Sequence, residues 1–163
     1  MESPSRARSL LGRRSALRLF AAVPVAAALT AACSSAPEEP DPLVALAAAA
    51  KSDAQLAKAI AQAHSGLADA AGEIASARSE HAAALQREVD RVNPRDPEDP
   101  PSVPDPAPQQ APSSASTAAK ALRDALTGAQ DRAAQLVPGV EPYRAGLLGS
   151  VAASCASLRE VLG

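Results

Sequence analysis

Between Pro94 and Pro112 the chain carries prolines at short intervals, separated mainly by Asp, Glu, Gln and Ser. Proline has no amide hydrogen to donate and its ring clashes with the preceding helical turn, so this stretch can be neither helix nor central strand. It reads as an exposed, mobile or polyproline-like linker, with a proline-rich ligand for a partner as the competing reading. The segments on either side must therefore each build regular structure of their own.

Both segments carry a helical repeat. On the first side, Asp41-Pro42 is an N-cap followed by proline at the first helical position. A seven-residue register then runs through Leu43, Leu46, Ala50, Asp53, Ala57, Ile60 and His64, with Leu56 beside it. It continues as Leu67, Ala71, Ile74, Arg78, His81, Leu85, Glu88 and Val92, with Val89 alongside, and Asn93-Pro94 stops it. An unbroken register permits one long helix. Folding at Ser65-Gly66 instead sets Leu46 opposite Leu85, Ala57 opposite Ile74 and Asp53 opposite Arg78, so large faces small and acid faces base. That complementarity favours a hairpin, and Gly66 is expected to help the turn through left-handed dihedrals.

Beyond the prolines, a helix opens in Ser113-Ser114-Ala115-Ser116-Thr117. Ala119, Leu122, Leu126, Ala129, Ala133 and Leu136 form its apolar face; Lys120, Arg123, Asp124, Gln130 and Asp131 form its polar side. Pro138-Gly139 breaks it and Glu141-Pro142 opens another, carrying Leu147, Leu148, Val151, Cys155, Leu158, Val161 and Leu162. Folding about Val140 again matches sizes, with Ala129 facing Val151. The expected fold is all-α: a four-helix up-down bundle made of two helical hairpins joined by a long Pro-rich crossover. Helices are expected near 42–64, 67–93, 114–136 and 142–162, with the loop at 94–112. Alanine buries much less apolar surface than the ~1.5–3 kcal/mol worth of a Leu or Ile, so the bundle should be closely packed and only marginally stable.

Residues 1–32 have a different character. Five arginines and Glu2 precede an apolar run from Leu19 to Leu29, about a dozen residues where a spanning helix needs roughly 20. Leu29-Thr30-Ala31-Ala32-Cys33 follows. This resembles a bacterial lipoprotein signal, which implies cleavage before Cys33 and a lipid on its sulfur. Thr30 stands where a large aliphatic residue is usual. Ordinary cleavage near Ala26-Ala27-Ala28 is the alternative. Arg13 and Arg14, with Leu17 and Arg18, resemble a twin-arginine signal, although Ala16 stands where Phe is common; an ordinary secretory basic region is the other reading. Residues 33–40 then form a tether for a bundle spanning 41–163, exported and lipid-anchored to the outer face of the cell membrane.

Removing that segment from the chain's 16 basic and 18 acidic residues leaves a formal charge of −6. An acidic protein without a basic patch is a poor partner for nucleic acid. Tyr143 is its only aromatic residue, so base-stacking platforms and aromatic cages are excluded.

The helix layout from Asp41 to Leu162 looks like the ferritin-like architecture. It also resembles the small Ala-rich, ferritin-like domains of actinobacterial exported proteins. A di-iron site in such a bundle needs Glu on two helices and Glu-x-x-His on the other two. Here the residue three before His81 is Arg78, and the last two helices contain no histidine. The resemblance therefore implies a bundle that has lost the metal pair, and no cofactor is expected. Asp53, Arg78 and His81 remain as an interior polar cluster, either a small polar or single-metal pocket or an ion pair that sets hairpin register. His64 suits a helix C-terminus. Cys155 falls on an apolar face as an inert thiol, with disulfide dimerisation the weaker reading, and Tyr143 is expected to plug the bundle end. Gly146 and Gly149 are expected to allow close helix approach. No Ser-His-Asp array and no Gly-rich phosphate loop is present. These features point to a non-enzymatic envelope lipoprotein that binds an envelope protein. A degenerate metal or redox protein and a small-ligand binder are the alternatives.

Overall fold

The computed structural model describes residues 40–163, so Arg13, Arg14, Leu17 and Cys33 lie outside the described residues. Helix α1 (Pro42–Ala63) starts where the Asp41 carboxylate accepts the Leu43 amide at 2.9 Å and Pro42 takes the first helical position. It ends at His64, whose backbone turns extended. A single 3-10 turn, Ser65–Leu67, leads into α2 (Ala68–Val92). Asn93 leaves the helical region because Pro94 crowds the residue before it. Ser114 caps α3 (Ala115–Leu136) through the Thr117 amide, and the 3-10 turn Val137–Gly139 precedes α4 (Pro142–Glu160).

The four helices form a bundle of two hairpins, α1 with α2 and α3 with α4; α1 also packs on α3, and α2 on α4. Two sets of side-chain bonds give the directions. Arg144, in the first turn of α4, reaches Asp41 at the start of α1 and Glu88 near the end of α2. At the other end His64 donates its Nε2–H to the Pro112 carbonyl, 2.8 Å away. Hence α1 and α4 run one way while α2 and α3 run the other. Since α1 is 22 residues long, about 33 Å, the crossover must travel the whole bundle. This explains why a proline-rich extended segment, and not a tight turn, joins the hairpins.

The interior is alanine interleaved with aliphatics, including Leu43, Ala57, Ile60, Ile74, Leu85 and Leu126. The expected apolar faces match it with differences at the helix ends: Val92 and Val161 are exposed. Tyr143 does not plug the bundle; it is 70% exposed and lies under the Arg91 guanidinium, 5.7 Å from its ring centre. Its place in the first turn of α4 puts it outside the helix interfaces, where the cation holds it.

Three further expectations are revised. The crossover is exposed along most of its length but is seated on the bundle, with Val103 fully buried in the core. Gly66 does not adopt left-handed dihedrals, because the 3-10 turn closes with ordinary ones; among the described glycines only Gly163 has a positive φ. Gly146 and Gly149 face solvent, and a Cβ on either would touch nothing within 4 Å, so neither admits a close helix. No helix of the described residues is long and apolar enough to cross a membrane.

Candidate functional site

Two charged networks occupy the bundle. The central one is built around Arg78, whose side chain is 2% exposed. Its Nε and Nη2 both donate to Asp53 Oδ2, at 3.2 and 2.9 Å, bridging α2 to α1. Its Nη1 lies 3.1 Å from His81 Nδ1 and 3.6 Å from Cys155 Sγ on α4. Arginine can only donate, so His81 accepts at Nδ1 and carries its proton on Nε2. The hairpin geometry thus brings together Asp53, Arg78 and His81 and adds Cys155. The sequence pattern puts the thiol on an apolar face; its contact with a cation is visible only once α4 is packed against α2.

The electrostatics of this cluster follow from burial. Burial lowers the His81 pKa to about 4, and the neighbouring Arg78 charge adds to the effect, so the imidazole is neutral. Burial raises Asp53, against the opposing pull of Arg78 and of Arg132 on α3. Burial likewise raises the Cys155 thiol despite Arg78, leaving it protonated and a poor nucleophile.

Arg78 also bears on the di-iron arrangement. In the ferritin-like arrangement a carboxylate three residues before His81 would point at the ion; here a guanidinium fills that place, and the His81 Nδ1 lone pair is already used on it. Among the described residues no group of three or more His, Cys, Asp or Glu could hold a metal ion. The donor set does not fit a di-iron centre.

The second network closes the end of the bundle where α1 begins. Arg144 donates from Nη2 to Asp41 Oδ2 at 2.7 Å and from Nε to Glu88 Oε1 at 2.9 Å. Arg91 adds a two-pronged contact to Glu88, at 2.7 and 2.8 Å. Glu88 is 3% exposed, and hydrogen bonds from Arg91 first and Arg144 second hold its pKa down to about 2 against the effect of burial. Glu88 lay on the apolar stripe of the heptad register, and an acid there requires a cationic partner. Nothing in the local sequence says that Arg144 supplies it.

Elsewhere the histidines are committed to other groups. His64 bonds a backbone carbonyl and His81 accepts from Arg78, so neither is paired with a serine or cysteine as a base. Comparison with protein-family models, curated proteins and solved structures returns no match.

Proposed function

We propose that this chain is a non-enzymatic envelope lipoprotein whose helical bundle binds another envelope protein. One observation carries the reading: the buried cation at the centre of the bundle is matched by the side chains around it. Arg78 uses all three of its nitrogens on Asp53, His81 and Cys155, and among the described residues no group of three or more His, Cys, Asp or Glu could hold a metal ion. Recognition then falls to the outer surface, which for a tethered protein means a macromolecular partner. The basic and apolar segment ending at Cys33 supports export and anchoring on the outer face of the membrane.

The test is intact-mass measurement of the protein extracted from its native envelope, combined with cross-linking before extraction. A mass corresponding to cleavage before Cys33 plus a diacylglyceryl group, with a cross-linked protein partner, is the expected result. A soluble, uncrosslinked and unlipidated chain would overturn the reading. The ferritin-like order of helix directions favours a second reading, a metal-handling protein. Stoichiometric iron, manganese or zinc in protein purified without chelator would establish that reading in place of the first.

A further inference from the structure

The crossover fills only half of a trough on the outside of the first hairpin. Where it lies in the trough, Lys51 Nζ donates to the Val103 carbonyl at 2.7 Å and pairs with Asp105 at 3.0 Å. Gln55 Nε2 reaches the Pro106 carbonyl at 3.5 Å. Beyond Pro106 the trough opens into a cavity of about 260 Å³ between α1 and α2, followed by a second of about 490 Å³. Both are lined by Lys58 and Ser79, so the two spaces adjoin along the outside of the hairpin, and together they are called the channel. Its walls are small residues, among them Ala54, Ala61, Gly72, Ala75 and Ala82, which leave space between the helices.

The charged groups that the helices give the channel are of one sign. The helices contribute Lys51 and Lys58 to its lining and no carboxylate; the one acid there, Asp105, comes from the crossover. Lys51 is neutralised by Asp105, whereas Lys58 is exposed and has no ion-pair partner among the described residues. Gln55 Oε1 is buried without a hydrogen-bond partner. Gln62 and Ser76 add exposed side chains able to bond a peptide backbone that makes no hydrogen bonds of its own.

We propose that the open half of this trough binds an extended, acidic, proline-containing segment of an envelope protein, laid against Lys58 as Val103–Pro106 is laid against Lys51. The inference rests on the interaction reading above and names the face and the chemistry of the partner. The molecule supplies its own template: an extended Val-Pro-Asp-Pro run is already held in this groove by one lysine and one glutamine. An extended segment rich in proline loses little conformational entropy on docking.

Two experiments test it. In the first, a peptide of sequence Val-Pro-Asp-Pro-Ala-Pro is titrated into the bundle and followed by amide chemical shifts. Shifts clustered at Lys58, Gln62 and Ser76 are expected. They should weaken about tenfold for Lys58→Glu and for the peptide with lysine in place of aspartate, through one lost ion pair and the repulsion that replaces it. Lys58 is exposed, so the variant is expected to keep the wild-type circular dichroism. No shifts in the groove, or equal binding of acidic and basic peptides, would overturn the proposal. In the second, a photo-cross-linking residue is placed at Gln62 or, separately, at Asp124 on the outer face of α3, in full-length protein in its native envelope. Partner capture from position 62 and not from 124 supports the groove. Capture from 124 alone overturns the groove and leaves the interaction reading standing, and capture from neither overturns both.

Discussion

Arg78 keeps a full positive charge among alanine and aliphatic side chains, and its cost is offset only because every nitrogen has an acceptor. Removing Asp53 would strand that charge. Asp53→Ala is expected to cost about 3 kcal/mol or more, whereas Asp53→Leu with Arg78→Met should fall within about 1 kcal/mol of the natural chain, since an apolar pair of similar volume needs no desolvation. Urea denaturation followed by circular dichroism measures both; a single variant no less stable than the double one would show that the two residues are not coupled. His81 has a pH signature of its own. Its folded pKa of about 4 lies below the ordinary 6.5, so the fold favours the neutral ring. That contribution is complete above pH 6.5 and is lost as pH falls through 4. Glu88, at about 2 against an ordinary 4.5, adds a second loss between those two values. Asp53 works the other way, because its raised pKa means that acidification relieves a buried charge. His81→Gln should therefore flatten the fall in melting temperature between pH 6.5 and 4 while leaving the fall below pH 4.5 in place.

At the level of elements, helix and loop make opposite demands on small residues. Gly149 lies inside α4, faces solvent and leaves room for a Cβ. Gly149→Ala should stabilise the bundle by about 1 kcal/mol, the ordinary difference between the two residues within a helix, read as a higher urea midpoint. In the crossover the sensitive position is Val103, whose burial seats the segment beside Lys51. Val103→Ser should cost about 1–2 kcal/mol of lost apolar burial and expose the segment from 94 to 112 to limited proteolysis, with the helices left uncut. The four helices and the Asp53–Arg78 pairing were legible because both are local: a seven-residue register and a fold about Ser65-Gly66 need no knowledge of distant chain. Arg144 was not legible, since it is drawn inward by Glu88 and Asp41, which lie 56 and 103 residues away. Val103 was hidden for a related reason, being the one large aliphatic residue among prolines that signal exposure. Tyr143 misled in the other direction: a lone aromatic invites a core position, yet Arg91 holds it at the surface.

Across the whole molecule, both networks tie the first hairpin to α4, one at mid-bundle through Arg78 and one at the end through Arg144. An alanine core gives each helix pair little apolar area to hold it, so charged contacts of this kind bear on which helices stay together as well as on register. Asp41 links the end network to the chain entering the bundle, since one carboxylate both caps α1 and binds Arg144. The two roles can be separated. Asparagine caps a helix about as well as aspartate but brings no charge, while alanine does neither. Asp41→Asn should therefore lose only the ion-pair contribution, and Asp41→Ala should lose about 1 kcal/mol more. Hydrogen exchange distinguishes the outcomes by place: the asparagine variant should lose protection near Glu88 and in the first turn of α4, and the alanine variant in the first turn of α1 as well. If both variants lost protection only in α1, Asp41 would be a cap alone, and the end of the bundle would be held by Glu88 with Arg91 and Arg144.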